Sequence, residues 1–470
     1  MTNRKPVNHL SRRRFLQGAA STALPALAGL SGVMASRPVA AAKSTGYKAL
    51  VCVVLDGGMD SFNLIVPTDS AGFSDYQAAR TNLALRLSQL LPISDAVDGR
   101  SFGLHAAAPE LRDLFVNGNL GFVANVGTLL EPIADLAAYN TGRLPLRLFS
   151  HNDQLLQWQT ALPQRTSYSS GWAGRLSDQF VSGGSAIGNS FRSIAVGQGN
   201  VLQTGVQVQP FVVDARSGAT NLSGYRDFSG VDETIKVFTT DMMLSQPYDD
   251  DVLMETLAGL RRKAIDDAGT YQFATESVNI TTDFPGTKLG RSFEQIATAI
   301  AARNELEQSR QIFYVHMPGW DHHSNLNVKM EPMVADLSRS MRAFYDATVE
   351  LGVDQSVLTM TLSDFGRTLS TNGDGSDHGW GGNQMVMGGP VRGGHVYGEY
   401  PESLAPGNPL DVGRGRLIPT TSTDEYFAEV ALWFGASNTF ELSRVLPNIR
   451  SFYSMQDWAR PIGFTTGGWA

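Results

Sequence analysis

KALVCVVL, residues 48–55, decides the fold: it is an unbroken apolar run that leads directly into Asp56-Gly57-Gly58. Apolar residues at every position, rather than at alternate positions, are typical of a strand buried on both faces, as in a parallel sheet. Further runs of this type follow, the last of them shorter: Gly121–Val126, Ser193–Val196, Gln311–Met317, Ser356–Leu362 and Gln384–Met387. The sequence therefore predicts a mostly parallel central sheet.

Helical patterns lie between these runs. Lys329–Leu351 has apolar residues at three- and four-residue spacing, which predicts a helix with one buried face. Near the C-terminus, Ser422-Thr423-Asp424-Glu425 predicts a capping box at the start of an apolar helix that ends at Gly435. The other helical patterns are Ala106–Asn117, Asp250–Glu276 and Ser292–Glu307. Strands that alternate with helices predict an α/β fold, a three-layer sandwich with helices on both faces of the sheet.

Residues 1–42 are interpreted as a twin-arginine signal peptide. Ser11-Arg12-Arg13-Arg14-Phe15-Leu16-Gln17 matches the twin-arginine consensus, and Ala40-Ala41-Ala42 offers the small residues that a signal peptidase needs. The apolar stretch between them is short, rich in Gly and Ser and broken by Pro25, whereas a spanning helix needs about 20 strongly apolar residues. We therefore expect the twin-arginine translocase to export the folded chain to the periplasm or another extracytoplasmic compartment.

Residues 43–470 are predicted to form one domain with an insertion around residues 200–245, where the sequence is polar and weakly patterned. The signal holds six basic and no acidic residues, so its removal lowers Lys+Arg from 37 to 31 against 45 Asp+Glu, a net charge near −14. Such a surface disfavours nucleic acid and anionic lipid as partners, and no later stretch could span a bilayer. The single cysteine, Cys52, excludes an intrachain disulfide and is predicted to be a small buried hydrophobe.

Polar residues follow three of the predicted strands where each strand ends. In such sheets ligand sites lie beyond the carboxyl ends of the strands, so these loops should meet at one edge. The candidates are Asp56, Asp60 and Ser61 after the first run, Asp321, His322 and His323 after Gln311–Met317, and Asp364, Arg367, Asp377 and His378 after Ser356–Leu362. Imidazole beside carboxylate is a ligand set for zinc, manganese or iron, whereas carboxylates alone favour magnesium or calcium. The sequence therefore predicts a divalent metal site without distinguishing zinc, manganese, magnesium and calcium.

A metal at this edge would lower the pKa of a bound water or hydroxyl and neutralise an anionic leaving group. Arg367 would add a planar fork of donors for phosphate or sulfate oxygens. Ser61 is the only hydroxyl near the first motif, residues 56–60, and is therefore the candidate nucleophile. Two of these residues have structural alternatives. Asp60 could form a turn with its neighbouring glycines, and Asp364 could pair with Arg367 as a structural ion pair.

The histidines divide into candidates and structural residues. Of the adjacent pair, one is expected to point into the site, and we favour His323 over His322, which could face solvent. Asp377-His378 lies in a glycine-rich loop, where packing gives no reason for an imidazole. His105 and His151 each stand alone in the sequence and are interpreted as structural histidines.

Several motifs together carry a family resemblance. They are Gly57-Gly58-Met59-Asp60-Ser61-Phe62-Asn63, Leu104-His105, Phe149-Ser150-His151, Gly171-Trp172-Ala173-Gly174-Arg175, Trp320-Asp321-His322-His323-Ser324-Asn325, Ser363-Asp364-Phe365-Gly366-Arg367-Thr368 and Asp377-His378-Gly379-Trp380-Gly381-Gly382. With the signal, they resemble the exported family called domain of unknown function 1501 over nearly the whole mature chain. That family is similar in fold to the alkaline phosphatase and sulfatase superfamily. The resemblance thus implies an alkaline-phosphatase-like core with a metal site at the strand ends.

The resemblance also implies roles for single residues. Carried over by position, the metal ligands would be Asp56 or Asp60, then Asp321 with His323, then Asp364 and finally His378. Phe365 stands where the superfamily has a ligating histidine, and a sulfatase cysteine motif is absent from the sequence. Two functions are therefore considered. The first is an exported metal-dependent hydrolase of phosphate or sulfate esters with an anionic ester as substrate, and the second is a catalytically inactive scaffold that acts as a periplasmic binding or assembly protein.

Overall fold

The strands of the protein follow the predicted apolar runs. The structure is a computed structural model that describes residues 46–181, 190–219, 231–246, 248, 251–436, 439–454 and 459–466, so the signal peptide predicted at residues 1–42 lies outside the described residues. The strands are β1 (Lys48–Asp56), β2 (Ile65–Pro67), β3 (Leu90–Ser94), β4 (Ser101–His105), β5 (Leu120–Gly127), β6 (Ser193–Val196), β7 (Phe211–Val213), β8 (Arg310–Pro318), β9 (Val357–Ser363), β10 (Arg367–Thr371), β11 (Ser376–His378), β12 (Gly382–Met387), β13 (Val396–Tyr397) and β14 (Thr421–Ser422). Each predicted strand is present within two residues of its predicted ends.

The central sheet is built around β1. In the described part of the chain it has nine strands in the order β13-β5-β12-β9-β1-β8-β6-β7, with β14 beside β5. β1 pairs in parallel with β8 and with β9, and β6 and β7 continue the parallel arrangement beyond β8. β12 is antiparallel to both β5 and β9. The sheet is therefore mixed and mostly parallel.

Helices cover both faces of this sheet. They are α1 (Ser70–Arg80), α2 (Pro109–Val116), α3 (Leu136–Thr141), α4 (His151–Thr160), α5 (Trp172–Asp178), α6 (Val231–Ser245), α7 (Val252–Thr275), α8 (Lys288–Ala301), α9 (Leu326–Glu350), α10 (Thr423–Phe434) and α11 (Thr439–Val445). Side chains of β1 alternate between two apolar cores: Val51 and Val53 pack with α8 and α9, whereas Cys52 and Val54 pack with α5 and α10. This arrangement confirms the predicted three-layer α/β sandwich, and Cys52 is a free, buried thiol.

Two smaller sheets were not predicted. β4 pairs antiparallel with β2 and β3, and β10 pairs antiparallel with β11. Ser44–Ala470 forms one compact unit. Part of the region expected to be an insertion joins the central sheet, because β7 extends it beyond β6. Among the described residues, none of the helices combines the length and apolar character needed to cross a membrane.

The largest difference between a predicted and an observed helix is at residues 292–307. The helix expected at Ser292–Glu307 is α8, which begins and ends several residues earlier, at Lys288 and Ala301. It begins early because the Thr287 hydroxyl accepts a hydrogen bond from the Gly290 N–H at 3.0 Å and caps the first turn.

Candidate metal centre

Strand register brings the predicted loops to one edge of the sheet. Asp56 at the end of β1 pairs with Pro318 of β8, and Leu55 pairs with Ser363 of β9. The residues that follow β8 and β9, including Asp321 and Asp364, therefore leave the sheet beside Asp56. The β10–β11 hairpin adds the remaining predicted residues, because Arg367 and His378 face each other across it. Parallel pairing is thus the reason that residues far apart in sequence meet.

The His378 ring is fixed by a backbone carbonyl. Its Nδ1 lies 2.7 Å from the carbonyl oxygen of Phe149. A carbonyl only accepts, so Nδ1 must donate, and Nε2 of the neutral ring keeps its lone pair. Burial lowers the pKa of His378 and so favours this neutral form. Phe149 has a φ of 71°, a conformation that non-glycine residues seldom adopt and that tends to occur at functional sites.

His151 is held in the same way by a carboxylate. It is the first residue of α4, and its Nδ1 lies 2.7 Å from Oδ2 of Asp364. An ionised carboxylate only accepts, so Nδ1 donates and Nε2 faces the other way. This Nε2 is buried and has no hydrogen-bond partner among the described residues. The hydrogen bond to Asp364 raises the pKa of His151, so a proton or a cation is favoured at Nε2.

His323 presents a third Nε2 to the same point. It lies 3.0 Å from Nε2 of His378 and 2.9 Å from Oδ1 of Asp321. On its other side, Nδ1 of His323 lies 3.2 Å from Oδ1 of Asp377. Asp377 is itself held by Asn372, whose amide donates to Oδ1 at 2.9 Å. Each of the three imidazoles therefore has an oxygen acceptor at Nδ1.

Three imidazole nitrogens lie near one carboxylate oxygen at distances like those between ligands of a metal ion. Oδ1 of Asp321 lies 2.9, 3.4 and 3.6 Å from Nε2 of His323, His151 and His378 respectively. Ligands of a tetrahedral zinc ion, each about 2.0 Å from the metal, are about 3.3 Å apart. Acceptors at Nδ1 are also what orients metal-binding histidines in proteins. His151, Asp321 and His378, whose ligand atoms lie within 4.8 Å of one another, therefore fit a divalent ion, and His323 lies beside two of them. Among divalent ions, zinc is the best match to these donors.

The guanidinium of Arg367 is hydrogen-bonded to groups inside the protein. Its Nη1 donates to Oδ1 of Asp321 at 2.7 Å and to the Gly57 carbonyl at 3.1 Å. Nη2 donates to the Ser376 carbonyl, and Nε to the Ser376 hydroxyl at 3.3 Å. Burial raises the pKa of Asp321, but Arg367 and the nearby histidines outweigh it and hold this pKa below its ordinary value. The guanidinium thus fixes Asp321 as an ionised ligand.

A second polar group adjoins the first at the end of β1. His316 Nε2 lies 2.8 Å from Oδ2 of Asp56, and this hydrogen bond lowers the pKa of Asp56. Asp364 lies close enough that Asp56 and Asp364 each shift the other's pKa, and burial raises that of Asp364. Asp364 therefore links the His316–Asp56 pair to His151.

Asp60 and Ser61 lie in different surroundings. Asp60 is buried and pairs with the guanidinium of Arg80, which also donates to the Thr368 carbonyl at 2.9 Å. The Ser61 hydroxyl is buried and accepts a hydrogen bond from the Asn383 N–H at 2.7 Å. The set of His151, Asp321 and His378, whose ligand atoms lie within 4.8 Å of one another, includes neither residue.

Two histidines lie at the candidate site although the sequence did not indicate it. His151, which the sequence predicts to be structural, lies with Asp321 and His378 in the set of close ligand atoms. His316 lies inside the apolar run of β8. The pattern of that run gives no indication that the His316 side chain contacts Asp56. His322, which could have faced solvent, is buried instead. The motif Phe149-Ser150-His151 was the available signal, because it supplies both an inner ligand and the carbonyl that holds His378.

The fold and this cluster define an α/β sandwich protein with a candidate divalent metal centre at the carboxyl ends of its parallel strands. The chain belongs to the family described as "Protein of unknown function (DUF1501)", whose model matches residues 47–406. No curated protein matches the sequence.

Several solved structures share a low overall similarity with this chain. The lipoteichoic acid synthase LtaP from Listeria monocytogenes is 8% identical, with 82% of this chain and 71% of that chain covered and a TM-score of 0.32. The C-terminal periplasmic domain of EcEptC from Escherichia coli, in a complex with Zn, is 8% identical, with 74% of each chain covered and a TM-score of 0.31. PsFucS1 sulfatase from Pseudoalteromonas sp. is 12% identical, with 74% and 64% covered and a TM-score of 0.31. At these TM-scores the similarity carries no argument, and the fold assignment rests on the sheet topology.

Proposed function

We propose that this protein is an exported metal-dependent hydrolase of phosphate or sulfate esters. The observation that carries the proposal is the convergence of Nε2 of His151, His323 and His378 on Oδ1 of Asp321. Each imidazole has an acceptor at Nδ1, so the nitrogens are oriented before an ion arrives. Such second contacts are typical of metal sites and contribute to metal affinity.

The surroundings of the cluster suit catalysis on an anionic substrate. A divalent ion at these residues would supply an activated water and positive charge for a negatively charged ester. Asp321 and His323 are partly exposed, so a substrate can reach them. Arg367 and the Phe149 carbonyl, by contrast, hold Asp321 and His378 from the protein side. The cluster is thus held by hydrogen bonds on its protein side and is exposed on its other side.

The position of Ser61 supports water as the nucleophile. Its hydroxyl is buried and accepts the Asn383 N–H, which leaves it poorly placed to attack a substrate at the exposed side of the cluster. A water activated at the metal needs no protein nucleophile. Direct hydrolysis is therefore favoured over a covalent serine intermediate.

Metal analysis together with an ester panel tests the proposal. The purified protein should contain about one zinc or manganese ion per chain and should hydrolyse 4-nitrophenyl phosphate or 4-nitrophenyl sulfate. The His151→Ala variant should lose more than 90% of both the metal and the turnover, because removal of a ligand leaves an incomplete set. His395→Ala, which changes a histidine outside the cluster, is the matched control and should retain both.

A second function is a scaffold without turnover that binds or assembles another exported component. The engagement of Arg367 favours it, because four contacts within the protein occupy most of the five N–H donors that would otherwise hold an anionic ester. A protein that is inert on the whole panel, with or without metal, would support the scaffold. The export route is part of both functions, and fractionation of cells that produce the full chain checks it.

A further inference from the structure

A cavity of about 840 Å³ is lined by residues outside the metal cluster. Its walls come from residues 129–134, 398–403, 408–410 and 419–422, together with the first turn of α10. This volume is within the range of small-molecule sites. The residues of the metal cluster are not among its lining residues, so it is a candidate site separate from that cluster.

The floor of the cavity is apolar and held firmly. Leu129, Ile133 and Tyr400 are buried lining residues, and Tyr400 packs edge-on against Phe102 with ring centroids 5.1 Å apart. The remaining apolar lining is Pro132, Pro401, Pro409, Leu410, Pro419 and Phe452. Prolines restrict the backbone, so little conformational entropy is lost when a ligand binds.

The charge of the cavity is negative. Glu399, Glu402 and Glu425 line it, and no ion pair to a basic side chain is found for them among the described residues. Arg100 is the one basic residue among the described lining residues, and its Nε is 2.5 Å from Oδ2 of Asp98 outside the cavity. The described lining therefore has three carboxylates and one guanidinium, and that guanidinium has its own carboxylate partner in Asp98.

Glu425, in the first turn of α10, is one of these three carboxylates. Its Oε2 accepts from the Ser422 N–H at 2.9 Å and from the Ser422 hydroxyl at 2.7 Å. No hydrogen bond to its Oε1 is found in the described part of the chain, so Oε1 is free to accept from a ligand. Burial raises the pKa of Glu425, as expected for a carboxylate that lacks a positive partner.

We infer that this cavity binds a small organic cation, in which an ammonium or guanidinium group is attached to an apolar body. The apolar body would cover the floor at Leu129 and Ile133, and the cationic group would pair with Glu425 and with Glu402 at the rim. Unpaired carboxylates repel an anion and give a neutral molecule no ionic partner, so charge complementarity selects the cation.

Calorimetric titration with three probes that share one apolar body tests this inference on the full protein. Phenethylammonium, 2-phenylethanol and 3-phenylpropionate have similar apolar bodies and differ in charge. The ammonium should bind at least tenfold more tightly than the alcohol, and the carboxylate should bind most weakly. Equal affinities for the ammonium and the alcohol, or preference for the carboxylate, would overturn the inference.

Charge-removing variants locate the cation. Glu425→Gln should weaken phenethylammonium about tenfold, because glutamine keeps the cap on α10 but removes the charge. Glu305→Gln, an exposed glutamate outside the cavity, is the matched control and should not change the affinity. If Glu425→Gln fails to fold, Glu402→Gln at the exposed rim decides, with an expected loss of about threefold. Unchanged affinity in every folded cavity variant would contradict the assignment.

Discussion

Asp364 and Asp424 are both completely buried, at 0% exposure, yet their surroundings are opposite. Asp364 accepts from the Gly57 N–H at 3.2 Å and from Nδ1 of His151 at 2.7 Å. Asp424, in the first turn of α10, has no hydrogen-bond partner for either carboxylate oxygen within the described residues. Burial alone therefore does not make a carboxylate functional; its donors decide what it can do.

The electrostatic consequences differ accordingly. Burial raises the pKa of both residues, and for Asp364 the hydrogen bond from His151 opposes this effect. For Asp424 burial dominates, Arg175 compensates only in part, and the pKa rises to about 8. Asp364 can thus hold an imidazole through an ionic hydrogen bond, whereas Asp424 is a neutral acid at pH 7. The first supports the candidate site, and the second lowers stability.

The largest effect is expected from Asp424→Asn. The unfolded chain loses the Asp424 proton near pH 3.8, whereas the folded protein keeps it to about pH 8, so the free energy of unfolding falls as the pH rises between these values. Each pKa unit corresponds to about 1.4 kcal/mol. Asparagine does not titrate, so the variant should be more stable by about 3–5 kcal/mol at pH 8 and unchanged at pH 3.

Chemical denaturation at several pH values measures this difference. Asp283→Asn changes an exposed aspartate and is the matched control, for which no pH-dependent gain is expected. A gain for Asp424→Asn that is the same at pH 3 and pH 8 would show that titration of Asp424 does not limit stability.

A smaller effect is expected from Asp364→Asn, and it is a loss of metal affinity, not a gain in stability. An amide cannot give the His151 Nδ1–H the charged acceptor it has now, so the ring is held less firmly. Loss of such a supporting carboxylate typically weakens metal binding by 10- to 100-fold, about 1.4–2.8 kcal/mol. Competition with a chelator measures the affinity for zinc.

Asp424→Asn is the control for this measurement as well. It changes a carboxylate of the same burial that lies outside the metal cluster, and it should bind zinc as the unchanged protein does. Equal zinc affinity for Asp364→Asn and Asp424→Asn would remove the distinction between the two aspartates.

The sheet was predictable from sequence because fully buried strands have a strong signature. β6 matches its predicted range, and β1, β8 and β9 differ by a residue or two at the ends. The short strands of the β2–β4–β3 sheet carry no such pattern, since β3 reads Leu-Leu-Pro-Ile-Ser and is buried at only two positions. Local apolar runs were therefore sufficient to predict the central sheet but not the smaller sheets beside it.

The candidate site was predictable only where it follows a strand. Asp321, His323 and His378 come together because parallel strands end at the same edge. His151 reaches them from α4 through tertiary packing, which the pattern of apolar runs does not predict. The motif Phe149-Ser150-His151 is the one indication of it in the sequence. Asp56 is the last residue of β1 and Asp60 follows four residues later, but Asp60 pairs with Arg80 and is not part of the cluster.

The smallest effect is expected at the cap of α10, which the sequence predicted and the structure confirms. The Ser422 hydroxyl accepts from the Glu425 N–H at 3.1 Å, and Glu425 Oε2 accepts from the Ser422 N–H at 2.9 Å. Ser422→Ala should lower the free energy of unfolding by about 1 kcal/mol, because one N–H of the first turn loses its acceptor. Ser422→Thr keeps the hydroxyl and should cost less than about 0.5 kcal/mol in the same urea titration. Equal losses for the two variants would mean that the hydroxyl contributes nothing, and the low stability at this helix end would then be due to Asp424 alone.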